Sequence, residues 1–198
     1  MAGGIAGIPT DTVYGLAALA TDREAVAALV EAKGREGDQP IAVLFDSIVD
    51  LSRHLADPGA LDAIAGLWPG ALTAVVRASA DSSIVAPVVT EAGTIGVRKP
   101  DDPFARAIIR ACGGVLAVSS ANRHGERPAT TADGVEAVFG ELLPVLDGGD
   151  RSEGVPSTVV DLTRHPPRVL RAGAVDASSI IEGLLEDDPE PDAPETGL

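Results

Sequence analysis

The residues best suited to chemistry open the chain as one run, Pro9-Thr10-Asp11-Thr12-Val13-Tyr14-Gly15-Leu16. Pro9 fixes φ and donates no hydrogen bond, so it stops the apolar entry from Ile5 to Ile8. Thr and Asp side chains bond nearby backbone groups and favour turns. Gly15 allows a close approach that other residues forbid. Tyr14 is the only tyrosine. A strand that ends in a hydroxyl-rich loop can wall a small polar ligand, and a decorated turn is the plainer alternative.

Other candidates sit at the ends of expected elements. Lys33 and Arg35 close the first helix, where two cations also suit the helix dipole. Arg98 and Lys99 end a strand. Ser119-Ser120-Ala121-Asn122 follow another strand, where a turn or helix cap would be ordinary. Familiar catalytic patterns are absent. There is no Walker A sequence, no G-x-G-x-x-G fingerprint and no serine nucleophile elbow. His54, His124 and His165 lack zinc-ligand spacing. Cys112 stands where a helix ends against Gly113 and reads as a packed structural thiol. A set of cations and hydroxyls remains.

These residues need a scaffold. The 198 residues suit one domain with a sizeable core. Aromatic residues are only 3%, so Ala, Val, Leu and Ile must build that core. Ile5 to Ile8, Ile41 to Phe45, Leu72 to Val76, Thr94 to Arg98 and Val115 to Val118 read as strands. So do Leu143 to Leu146, Thr158 to Leu162 and Arg168 to Leu170. Thr21-Asp22-Arg23-Glu24 fits a capping box before a helix that Gly34 stops. Asp57-Pro58 and Asp102-Pro103 start two further helices. The first runs through Leu61, Ile64 and Leu67 to a turn at Trp68-Pro69-Gly70. Thr131 to Phe139 and Ala177 to Leu185 complete the helices. Strands alternate with helices early and cluster late, which predicts a mixed sheet with helices packed on it.

The net charge is −15, which argues against broad electrostatic capture of nucleic acid. Seven acidic residues and no Lys or Arg lie from Glu182 onward, leaving −8 on the rest. That segment, with Pro189, Pro191 and Pro194, cannot bury enough apolar surface to offset its ordering entropy. One cysteine excludes an internal disulfide, and no signal peptide or membrane-length apolar run is present, so a cytoplasmic setting is expected.

Five collinear blocks carry a resemblance. Pro9 to Leu16, Lys33-Gly34-Arg35 with Pro40 after it, Ser120-Ala121-Asn122, Ser157-Thr158-Val159-Val160-Asp161 and Leu170-Arg171-Ala172-Gly173 resemble the Sua5/YrdC family, the threonylcarbamoyl-adenylate synthases. The likeness spans residues 5 to 175. It implies an α/β fold of α+β character: a single-domain, twisted, open mixed sheet with flanking helices and a concave ligand cleft. The domain would occupy residues 1–186, and residues 187–198 would be a flexible acidic tail. The family's helix ahead of its first strand has no room before Ile5.

The resemblance implies L-threonine, bicarbonate and ATP as substrates, pyrophosphate as product and Mg²⁺ as cofactor. It further implies service to tRNA modification, with tRNA or a tRNA-modifying transferase as partner and no membrane. Adenylation suits the residues present. The attacking oxygen is already an anion, so the protein positions partners and neutralises phosphate charge without a covalent nucleophile. By resemblance, Lys33, Arg35, Gln39, Thr94, Ser120, Asn122 and Arg171 bind ATP, with Lys33 and Arg35 catalytic. Thr12, Arg98 and Ser157 bind threonine. Asp11, Asp147 and Asp161 are unranked candidates to hold magnesium or orient a ligand.

Three positions depart from the family pattern: Glu36 for a proline, Leu44 for a polar residue facing the amino acid, and Ala129 for a serine. Glu36 and Leu44 motivate an alternative, a YrdC-like RNA- or nucleotide-binding protein with weakened catalysis. A third reading, the YrdC-like part of a hydrogenase-maturation carbamoyltransferase, lacks the acylphosphatase and zinc-finger segments.

Overall fold

Eight strands form one open mixed sheet in the computed structural model, which describes residues 4–34, 41–123, 125–140, 143–151, 155–176 and 180. The strands are β1 (Ala6–Ile8), β2 (Gly15–Leu19), β3 (Ala42–Phe45), β4 (Leu72–Arg77), β5 (Thr94–Arg98), β6 (Val115–Ser120), β7 (Thr158–Asp161) and β8 (Arg168–Arg171). Their order across the sheet is β1-β2-β6-β3-β5-β4-β7-β8. The pairs β3–β5 and β4–β7 are parallel, and the other five are antiparallel. The helices are α1 (Arg23–Ala32), α2 (Ile48–Ser52), α3 (Pro103–Ala111) and α4 (Ala132–Phe139), with a 3₁₀ segment over Pro58–Leu67. The expected architecture is therefore present. Among the described residues no helix is long and apolar enough to cross a membrane.

Strand alternation divides the side chains between the two faces. Val43, Phe45, Leu72, Ala74, Val76, Ile95 and Val97 join the main core, which α1, α4 and the 3₁₀ segment also enter through Leu29, Phe139 and Ile64. The Val, Leu, Ile and Phe side chains among them each contribute about 1.5–3 kcal/mol on burial. The opposite face is covered at one end only. There Ile109 of α3 packs with Leu44, Leu116, Val118 and Ile8. The half-buried Cys112 caps α3 and joins this cluster as a structural thiol. The rest of this face is open, and the cleft lies on it.

Several local expectations are corrected. The cap of α1 is Asp22, whose carboxylate accepts from the N–H groups of Glu24 (2.9 Å) and Ala25 (3.1 Å). A charged oxygen at the positive end of a helix displaces Thr21 from that role. The spacing of Leu61, Ile64 and Leu67 is three residues, the period of a 3₁₀ turn, and that is the form adopted. Leu143 to Leu146 makes only an isolated bridge, Val145 beside Gly7, because Pro144 offers a carbonyl and no N–H. Strand β2 and helix α2 carried no sequence signal. The Ala-rich run Gly15–Leu19 lacks the β-branched residues that mark strands, and Ile48–Ser52 is barely more than one turn. The helix expected over Ala177 to Leu185 and the acidic tail lie outside the described residues, apart from Ile180.

One charge cluster ties α3 to the end of β3. Asp46 accepts from Arg106 (2.7 Å) and Arg110 (2.8 Å). Burial opposes the charged carboxylate, but the hydrogen bonds and charges of Arg110 and Arg106 outweigh it and hold its pKa below the usual 3.8. A carboxylate depressed in the folded state contributes stability above its unfolded pKa and loses it as pH falls through the folded value. Melting temperature should therefore drop below about pH 4. Asp46→Asn should lower it at neutral pH and flatten the acid limb. Thermal melts from pH 7 to 2.5 check this, and an unchanged limb in the variant would exclude Asp46 as a source.

Candidate functional site

The open face holds a cavity of about 750 Å³, within the size range of small-molecule and cofactor sites. Its floor is the outward set of sheet residues: Gly15, Thr73, Val75, Thr94, Gly96, Arg98, Val118 and Ser120 among them. Two polar clusters stand at its ends.

The first surrounds Lys33. This residue follows the last turn of α1, and its side chain is fully buried. Its Nζ donates to the Ser120 carbonyl (2.6 Å) and to Asn122 Oδ1 (2.9 Å). Ser120 Oγ also donates to Asn122 Oδ1 (2.5 Å). The Asn122 amide nitrogen donates to the carbonyls of Arg123 (2.8 Å) and Glu126 (2.9 Å), folding that loop over the cleft. A buried ammonium costs several kcal/mol in desolvation, so its placement beneath a strand-end loop needs a reason. Gly34, at φ +64°, lets the chain leave the helix directly after Lys33.

The second cluster surrounds Arg98 at the end of β5. Its Nη2 donates to Asp11 Oδ1 (2.7 Å), Nη1 to Thr12 Oγ1 (3.1 Å) and Nε to the Gly70 carbonyl (3.1 Å). Thr10 braces the same loop by donating to the Val13 carbonyl (2.7 Å). The turn that supplies Gly70 is held by Trp68, which bonds the Leu72 carbonyl (2.8 Å) and packs edge-on against Phe45. Across the floor, Thr73 and Ser157 hydroxyls meet at 2.8 Å. Arg171 donates to the Ser157 carbonyl through Nη2 (2.8 Å) and Nε (3.2 Å). Among the described residues no carboxylate pairs with Arg171. Partial burial of its head, and then the positive charge of Arg98, hold its pKa below the ordinary value. Two guanidinium groups that disfavour each other in a concave site suit an anionic ligand.

The Ser157 loop is locked from behind. Thr158 Oγ1 donates to the Val175 carbonyl (2.6 Å) and accepts from the N–H groups of Gly173 (3.0 Å) and Val175 (3.2 Å). A Cβ on Gly173 would stand 2.3 Å from the Pro156 carbonyl oxygen and 2.4 Å from the Ser157 carbonyl carbon. The explanation for this glycine is close backbone approach. Gly173→Ala should push Ser157 off the cleft floor and cost roughly 1–3 kcal/mol, as overpacking does. A melt shows the loss, and an unchanged melting temperature would contradict the tight packing.

Of the expected site residues, the structure brings Thr12, Thr94, Arg98, Ser120, Asn122, Ser157 and Arg171 to one cavity wall, with Lys33 bonded beneath Ser120 and Asn122. Thr94 Oγ1 lies 2.7 Å from Thr90 Oγ1 at the rim. Arg35 and Gln39, and with them the departure at Glu36, lie outside the described residues. Leu44 lines the cavity and is the register partner of Arg98 on the neighbouring strand, so the apolar departure does stand beside Arg98. Thr73 and Thr90 also line the cavity. Thr73 was accessible to sequence reading in principle, since it alternates with the buried Leu72 and Ala74.

Each of the three aspartates has an internal partner. Asp11 pairs with Arg98, and Asp147 Oδ1 accepts from the Gly149 N–H (2.9 Å). Asp161 accepts from Thr163 and Arg164. Burial opposes its charge, but the Thr163 hydrogen bonds and Arg164 hold its pKa below the usual 3.8. Among the described residues no group of three or more acidic, His or Cys side chains could hold a metal ion.

An open mixed sheet with a buried lysine, opposed arginines and hydroxyls on one concave face defines a cleft protein for anionic ligands of nucleotide size. The Sua5/YciO/YrdC family model, described as telomere recombination, matches residues 1–173, and the chain belongs to that family. A Mycobacterium leprae relative is 43% identical over 181 residues, 89% of this chain and 80% of its own length. The threonylcarbamoyl-AMP synthase of Pyrococcus abyssi is 36% identical over 189 residues, 93% of this chain and 54% of that protein. The crystal structure of P. abyssi Sua5 complexed with L-threonine superposes with a TM-score of 0.84 at 34% identity, covering 91% of this chain and 54% of that one. This chain thus spans about half the length of the archaeal protein. Escherichia coli YciO shares the fold, with a TM-score of 0.77 at 23% identity.

Proposed function

We propose that this chain is a threonylcarbamoyl-AMP synthase. It would condense the L-threonine amine with bicarbonate to a carbamate, losing water. A carbamate oxygen would then attack the α-phosphorus of ATP, and pyrophosphate would leave. The observation that carries this reading is the single cavity with Arg98, Thr12, Ser157 and Arg171 at one end and the Lys33–Ser120–Asn122 cluster at the other. Its chemistry matches two ligands that must meet head to head.

In this reading Arg98 takes the threonine carboxylate, with Thr12 and Ser157 beside it. Ser120, Asn122 and Thr94 line the ATP side, and Arg171, held beside Ser157 at the Arg98 end, would meet the ATP phosphates where the two ligands join. Lys33 would supply positive charge beneath the phosphates, and Arg35 and Gln39 remain phosphate-binding candidates by the family likeness. Mg²⁺ would enter with ATP. The product would pass, in the cytoplasm, to a transferase that modifies tRNA.

A second reading, a nucleotide- or RNA-binding protein with weakened catalysis, draws on Leu44, which puts an apolar side chain beside Arg98 where a polar one is expected. A pyrophosphate-release assay separates the two. The synthase reading expects release that needs ATP, L-threonine and bicarbonate together. Nucleotide binding without such release would overturn it in favour of the second reading.

A further inference from the structure

Tyr14, Arg151 and Asp102 form a buried assembly that neither end of the cavity accounts for. Arg151 is nearly buried and makes four contacts from one guanidinium. Its Nη1 donates to Asp102 Oδ2 (2.6 Å), Nε to the Gly149 carbonyl (3.2 Å) and Nη2 to the Gly148 carbonyl. Its face lies 5.9 Å from the centre of the Tyr14 ring. Tyr14 is fully buried; its hydroxyl donates to the Gly149 carbonyl (2.9 Å) and accepts from the Gly148 N–H (3.1 Å). Asp102 also caps α3 through the Ala105 N–H (2.7 Å). Gly148 presses on Pro9 so closely that a Cβ would stand 2.5 Å from the proline ring.

The backbone of Tyr14 joins the two ends of the cavity. On one side are Thr12 and Val13, the loop that Arg98 holds. On the other, the Tyr14 carbonyl accepts from the Ala121 N–H (2.8 Å), and Ala121 lies between Ser120 and Asn122. The Tyr14 N–H donates to the Ala129 carbonyl (2.9 Å), whose own N–H returns to Ala121 (2.9 Å). A buried ion pair is weak evidence for stability, since an apolar substitute often does as well. A guanidinium held at three donors and one face is instead a device for orientation.

We propose that Tyr14, oriented by Arg151 and Asp102, is a positioning residue that couples occupancy of the two ends of the cavity. Ordering of the Thr12 loop by a ligand at Arg98 fixes Tyr14, and through Ala121 fixes the Ser120–Asn122 cradle. The effect is reciprocal, as linkage requires. This rests on the synthase reading for the identity of the two ligands.

The test is calorimetric titration of the full chain with L-threonine and with a non-hydrolysable ATP analogue, each alone and in the presence of the other. The unmodified protein should show each ligand tightening the other by about 5-fold or more. Tyr14→Phe keeps the ring and removes the hydroxyl. It should leave each single-ligand Kd within about 3-fold and reduce the mutual effect to near unity, a signature that a merely structural role would not give. Arg151→Met should do the same, and Arg151→Lys should restore little, because an ammonium cannot make the forked contact. Mutual tightening that survives in Tyr14→Phe and Arg151→Met overturns the proposal, as does its absence in the unmodified protein when both ligands bind. If neither ligand binds the unmodified protein, the synthase reading fails and this proposal fails with it.

Discussion

Lys33→Met is expected to lower pyrophosphate release by roughly 10²–10³-fold, the effect of losing one preorganised charge-stabilising donor. Lys33 is fully buried, and its ammonium bonds the Ser120 carbonyl and Asn122 Oδ1. Adenylation builds negative charge on the leaving pyrophosphate, and in the proposed reading a fixed positive charge beneath the Ser120–Asn122 loop would meet it without reorganisation. Methionine keeps most of the volume and removes the charge. It relieves the desolvation cost of the ammonium but takes a donor from the Ser120 carbonyl and Asn122 Oδ1, so a melt accompanies the assay and turnover is compared at a temperature where the variant is folded. The loss should fall on kcat as well as on ATP affinity. Near-normal turnover in a folded Lys33→Met protein would reduce the lysine to a strut for the loop.

Arg98→Ala is expected to abolish L-threonine binding and also to destabilise the fold, by roughly 3–5 kcal/mol. The stability loss arises because Asp11 is mostly buried and its partner at 2.7 Å is gone. Thr12 Oγ1 and the Gly70 carbonyl lose a donor as well. The two effects are separable. Asp11→Ala combined with Arg98→Ala removes the uncompensated charge and should regain a substantial part of the melting temperature. It should regain none of the threonine binding. Melts and calorimetry on the two single variants and the double variant complete a cycle that measures the pair directly. Recovered binding in the double variant would show that Arg98 serves the fold and not the ligand.

The legibility of the fold followed signal type. The strands Ala42–Phe45, Leu72–Arg77, Thr94–Arg98 and Val115–Ser120 were readable because β-branched and apolar runs are bounded by Pro, Gly or Asp. Strand β2 was not, because Ala and Gly carry little strand preference; it exists because it lies between β1 and β6, with Gly15 tucked against Val118. The choice between Thr21 and Asp22 as cap depended on where the chain turned, which local pattern leaves open by one residue.

The sequence by itself determined the mixed α/β class, the absence of a covalent nucleophile pattern and, through five short blocks, the family, and it named several residues that line the cleft, Thr12, Arg98, Ser120 and Asn122 among them. Those properties are local: each block is a turn or strand end whose residue types answer to its own backbone. The tertiary structure alone decided which cations stand together. Lys33 reaches Asn122 across 89 positions, and Arg98 reaches Asp11 across 87. It also decided that Asp11, Asp147 and Asp161 are committed to internal partners, and that Arg151 lies under Tyr14. No periodicity encodes such contacts, because they arise where the strand order brings β2, β6, β3 and β5 side by side, and only the packed sheet fixes that order.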